Sequence, residues 1–71
     1  RMKLGLTKRQ TEVLSVIRDL IAECGHAPTY EQICAAGDIR SLSSVHRYVY
    51  ILRERGHLDL KPLAKQSIVL L

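Results

Sequence analysis

Apolar residues recur at helical spacing in three stretches of this chain and then give way to alternation near its end. The first stretch carries Val13, Leu14, Ile17, Leu20 and Ile21, the i, i+3, i+4 stripe of a helix with one face in a core. Thr7, Lys8, Arg9 and Gln10 precede it and match a capping box, in which the Thr7 hydroxyl accepts from the Gln10 amide while the Gln10 side chain reaches back. Gly25 follows as the residue that most easily takes the left-handed conformation at a helix end. A helix is predicted over residues 8–24.

Pro28 holds its predecessor extended, and Thr29, Tyr30, Glu31 and Gln32 repeat the capping box. A short helix carrying Ile33 and Ala36 is predicted over residues 30–36, stopping at the turn pair Gly37 and Asp38. Ser41 is the next N-cap, and Val45, Tyr48, Val49 and Leu52 form one stripe before Gly56, which predicts a third helix over residues 42–55. Residues 57–60 alternate, residues 61–65 form a basic loop with Pro62, and residues 66–71 read as a β-branched apolar strand. The fold class is therefore mainly α with a small β-hairpin: a winged helix-turn-helix, three helices and a two-stranded wing over residues 57–71.

On a wheel of about 100° per residue, the side of the third helix opposite its apolar stripe carries Ser43, His46, Arg47, Tyr50 and Glu54. A merely solvated face would favour strong helix formers such as Glu, Lys, Gln and Ala. Small hydroxyl residues in a first turn instead let the helix N-terminus approach a groove wall or a phosphate. Beyond them Arg47 suits guanine or phosphate, His46 a base edge, and Tyr50 a phosphate or thymine methyl. This half of the helix fits a recognition helix.

Seventy-one residues give room for one domain, expected to span residues 1–71, and a 46% hydrophobic content argues against a disordered tail. Eleven Lys and Arg against seven Asp and Glu leave a net charge of +4, which favours an anionic partner without identifying it. No apolar run reaches the roughly 18 residues of a membrane span, and the start RMKLGLTKRQ lacks a signal peptide's apolar stretch. A cytoplasmic location without membrane association is expected. Cys24 and Cys34 are expected to be reduced thiols on apolar helix faces, acting as small buried hydrophobes.

Several motifs, in order and correctly spaced, resemble the DNA-binding domain of LexA-type SOS repressors. They are L-T-x-R-Q-x-E-V-L from Leu6, P-T-x-x-x-I from Pro28, R-S-x-S-S-V-H-R from Arg40 and L-x-x-x-G from Leu52, and the likeness covers nearly the whole chain. The resemblance implies a transcriptional repressor module with its third helix in the major groove of a palindromic double-stranded DNA operator. By position it puts Ser41, Ser43, Ser44, His46 and Arg47 where that family contacts bases and nearby phosphates, and Thr29 near a phosphate. It also implies that this piece is monomeric in solution and pairs on DNA, because the family's repressors pair mainly through another domain. That domain, a self-cleaving peptidase with a Ser and Lys pair, has no counterpart in these residues, and no catalytic role transfers. A further departure is the turn reading Gly37, Asp38, Ile39, where the family commonly has an apolar residue, Gly and an aromatic.

The resulting reading places base contacts at Ser41, Ser43, Ser44, His46, Arg47 and Tyr50, and phosphate contacts at Thr29, Arg40 and the wing residues Lys61 and Lys65. No metal or other cofactor is expected, since Cys24, His26, Cys34 and His46 match no standard zinc spacing. No enzyme is expected either, because Ser43 or Ser44 beside His46 on one exposed turn offers no pocket. Arg9 is left between two roles, a phosphate contact and a stem packed over the core edge. The rival function is a protein-interaction winged helix docking a partner through Tyr50, Ile51 and the wing without reading DNA.

Overall fold

The computed structural model describes residues 5–60 and 68–71. Helix α1, Lys8–Cys24, starts from the expected capping box: the Thr7 hydroxyl accepts the Gln10 N–H at 3.2 Å, and the Thr7 N–H donates to the Gln10 side chain at 2.9 Å. Helix α2, Tyr30–Ala36, starts the same way from Thr29, with the reciprocal bonds to Gln32 at 3.1 and 2.8 Å. Each box satisfies two of the N–H groups that a helix start leaves without a partner. Helix α3, Leu42–Glu54, ends one residue before the expected boundary because Arg55 serves as its cap. Strands β1, Leu58–Leu60, and β2, Ile68–Leu70, pair antiparallel, with Leu58 opposite Leu70 and Leu60 opposite Ile68. The Leu71 N–H extends the ladder to the His57 carbonyl at 3.1 Å. Three helices followed by a two-stranded hairpin make the expected winged helix-turn-helix.

Val13, Leu14 and Ile17 from α1 meet Tyr30 and Ile33 from α2, Val45, Val49 and Leu52 from α3, and Leu58 and Ile68 from the hairpin in one apolar cluster. Burying each such side chain stabilises the fold by about 1.5 to 3 kcal/mol relative to leaving it exposed. Burial fades along α1, from Val13 and Ile17 through half-buried Leu20 and Ile21 to exposed Cys24. The expectation of a buried Cys24 is thus corrected: α1 outruns the body it packs against, so the correct helix face does not suffice. Cys34 is half-buried, and its thiol donates to the Ile39 carbonyl at 3.0 Å. Among the described residues, no helix is long and apolar enough to cross a membrane.

Helices α2 and α3 end in the same hydrogen-bond pattern. At the end of α3 the Gly56 N–H reaches the Arg53 carbonyl at 3.1 Å and the His57 N–H reaches Leu52 at 3.0 Å. At the end of α2 the Asp38 N–H reaches Ala35 at 3.4 Å and the Ile39 N–H reaches Cys34 at 3.0 Å. Both are Schellman closures, which require a left-handed residue at the pivot. Gly56 fills that position at φ 83°, whereas Asp38 fills it at φ 52°. Gly37 is distinguished by crowding instead: a Cβ there would lie 3.0 Å from the Ile33 carbonyl oxygen and 3.2 Å from Ile39 Cδ1.

Candidate nucleic-acid interface

The turn after α2 delivers the chain to Ser41, whose extended backbone (φ −152°, ψ 160°) makes it the N-cap of α3. Its hydroxyl accepts the Ser44 N–H at 3.4 Å and lies 3.3 Å from the Ser44 hydroxyl. No acidic residue stands in the first turn of α3. The positive end of the helix dipole and the remaining N–H groups therefore face outward uncompensated by a carboxylate, a setting that favours an anion.

Val45, Val49 and Leu52 turn into the core, which obliges the other side of α3 to face out. Ser41, Ser43, His46, Arg47 and Tyr50 are exposed and Ser44 is half-buried, so the six residues expected to read bases lie on or beside one outward surface. From Ser43 to Tyr50 this surface runs about 10 Å along the helix axis. Tyr50, 58% exposed, is engaged with Glu54 one turn later; the hydrogen bond to that carboxylate, and then its charge, raise the phenol above its ordinary pKa.

Helix α2 contributes through Tyr30, which the sequence marks only as part of a helix start. Its buried ring meets the His46 ring edge-on, with centroids 4.4 Å apart and planes at 78°. Burial raises the Tyr30 phenol above its ordinary value. The contact brings the start of α2, with half-buried Thr29, beside the outer face of α3. The spacing of Tyr30 and Ile33, both buried, was a signal that Tyr30 faces inward. Arg40 is exposed immediately before the Ser41 cap. The two wing candidates, Lys61 and Lys65, lie outside the described residues.

Arg9 has protein partners. Its guanidinium donates to the Gly37 carbonyl at 3.0 Å and, at 3.5 Å, to that of Asp38. It also pairs with Glu12 at 3.3 Å and sits 5.9 Å from the centre of the Tyr48 ring. Glu12 first, and Tyr48 second, hold it more firmly in its charged form than an ordinary arginine. At the far end of α3, Arg53 pairs with Asp59 of β1 at 3.3 Å, and Arg55 donates to the Gly5 carbonyl at 2.8 Å. Among the described residues, no three His, Cys, Asp or Glu side chains are grouped so as to hold a metal ion.

The family model described as the LexA DNA binding domain matches residues 2–66. The chain belongs to that family. It is 51% identical to LexA repressor 1 of Nocardia farcinica over 54 residues, which cover 76% of this chain and 25% of that protein. It is 36% identical over 67 residues to the LexA repressor of Caldicellulosiruptor saccharolyticus, covering 94% of this chain and 33% of that protein. A LexA repressor of Anaeromyxobacter dehalogenans matches at 37% over 65 residues, covering 92% of this chain and 28% of the relative. The chain thus spans between a quarter and a third of the length of these repressors. In this LexA-family domain the match includes all of α1, α2 and α3 and the first strand of the hairpin.

Proposed function

We propose that this chain is the sequence-specific double-stranded DNA-reading module of a LexA-type transcriptional repressor, with α3 lying in the major groove. The observation that carries the reading is the outward face of α3. Its acid-free first turn and the exposed Ser43, His46 and Arg47 stand opposite the buried Val45, Val49 and Leu52. A helix so divided presents donors and acceptors to base edges while its inner side is anchored.

In this reading Ser41, Ser43, Ser44, His46, Arg47 and Tyr50 read bases, and Thr29, Arg40, Lys61 and Lys65 hold phosphates. Phosphate contacts fix register and base contacts supply sequence preference. Residues 1–71 act as one domain, which works by binding and not by catalysis, in the cytoplasm. The operator is palindromic; a single copy of the chain is monomeric in solution and pairs with a second on the two half-sites.

The test is selection from a randomised duplex pool, followed by titration of the recovered duplex at two salt concentrations. Enrichment of a short motif, with affinity falling steeply as salt rises, is the expected result. Salt-sensitive binding without any enriched motif defeats the base-reading proposal and turns attention to a partner protein docked on Tyr50, Ile51 and the wing.

A further inference from the structure

Arg9 stands near the start of α1, where a cation opposes the helix dipole. Its contacts all lie on the side toward α2 and α3 or offset that mismatch. Glu12 supplies a counter-charge one turn on, at 3.3 Å. The Gly37 and Asp38 carbonyls follow the end of α2, where the dipole is negative and carbonyls lack helical partners. The Tyr48 ring, half-buried in the middle of α3, lies within cation–π range at 5.9 Å. One side chain therefore touches α1, the turn between α2 and α3, and α3 itself.

That turn sets the angle at which α3 leaves α2. It contains a non-glycine left-handed residue, Asp38, and has little space around Gly37. A planar guanidinium can donate to a carbonyl, meet a carboxylate and lie near a ring at once, which a lysine ammonium cannot do with the same geometry.

We propose that Arg9 is a positioning residue for sequence recognition: by clamping the Gly37–Asp38 turn and Tyr48 it fixes the orientation of α3, without contacting DNA. The inference rests on the reading that α3 contacts bases. It separates positioning from the phosphate role that a half-buried arginine near a helix start also suits.

The decisive variants are Arg9→Lys, which keeps the charge, and Arg9→Ala, which removes it. Each is titrated, with the unaltered chain, against the duplex recovered from the random pool and against a scrambled duplex, over a series of salt concentrations. Both variants are expected to lose about tenfold in the ratio of the two affinities, with an unchanged slope of log affinity against log salt. Residual dipolar couplings of backbone amides are expected to show α3 rotated relative to α1 in Arg9→Lys, while helical circular dichroism stays the same. If Arg9→Lys keeps the ratio, or if Arg9→Ala lowers the slope by about 0.9, the amount for one phosphate contact, the proposal is overturned. Unchanged dipolar couplings overturn it as well. Should the unaltered chain enrich no motif, the DNA reading fails, and the couplings still decide whether Arg9 orients α3.

Discussion

The ring of Tyr30, buried at the first position of α2, meets the ring of His46 on the outer side of α3 edge-on at 4.4 Å. A residue proposed to read a base is thereby braced by the core through one aromatic neighbour. Edge-on ring pairs contribute about 0.5 to 1.5 kcal/mol beyond their burial. Tyr30→Phe is expected to keep both fold and base preference. Tyr30→Ala is expected to cost about 3 kcal/mol in denaturant unfolding and to weaken the preference at the position His46 contacts.

The same residue predicts behaviour in alkali. Desolvation raises the Tyr30 phenol in the folded chain, so the folded state holds its proton at pH values where the unfolded chain has released it. The contribution is fully present below about pH 10, the ordinary tyrosine value, and is lost as pH rises through the higher folded value. Unfolding midpoints measured from pH 8 to 11 should fall less steeply for Tyr30→Phe than for the unaltered chain. Equal slopes would remove Tyr30 as the cause.

Two neighbouring positions in the turn should respond in opposite directions. Asp38 occupies a left-handed conformation at φ 52°, which glycine adopts without penalty, so Asp38→Gly should raise stability by about 0.5 kcal/mol. At Gly37 the backbone angles are ordinary, but a Cβ would press on the Ile33 carbonyl oxygen at 3.0 Å and on Ile39 Cδ1 at 3.2 Å. Gly37→Ala should therefore destabilise, by about 1 to 3 kcal/mol. Thermal melts of the two variants, shifted in the same direction, would contradict this account.

Thr29 combines a cap with a proposed phosphate contact, and the two roles separate on substitution. Thr29→Ser retains the hydroxyl that accepts from Gln32 and should leave stability and affinity nearly unchanged. Thr29→Ala should cost about 1 kcal/mol of stability and weaken binding to every duplex alike. Chemical denaturation paired with titrations on two unrelated duplexes checks both halves.

Arg47 and Arg40 are both exposed, yet the proposal gives them different work. Arg47→Ala should reduce discrimination at one base pair by about 1 to 3 kcal/mol. Arg40→Ala should weaken all sequences equally and lower the salt slope by about one. Competition binding with single-base operator variants distinguishes these patterns, and a uniform loss for Arg47→Ala would make it a phosphate contact instead.

Local chemistry made much of this fold legible in the chain alone. Capping at Thr7, Thr29 and Ser41 depends on residues three positions apart, and the inward faces of α1 and α3 follow from helical period, so the helix starts and the outward set Ser43, His46, Arg47 and Tyr50 could be read without a structure. The change to alternation after Gly56 likewise marked the hairpin, whose paired strands are β1 and β2.

Contacts between residues distant in the chain were decided by tertiary packing. Period places Cys24 on the apolar side of α1, but only the extent of the packed body leaves it exposed. Composition marks Gly37 and Asp38 as a turn, yet which of them takes the left-handed angle depends on the Schellman closure and on the crowding by Ile33 and Ile39. Arg9 lies 28 residues from Gly37 in the chain, and Tyr30 meets His46 across two helices. Helical period and caps act within a few residues and so are written locally; a guanidinium's choice of carbonyl and a ring's choice of neighbour exist only once α1, α2 and α3 have packed.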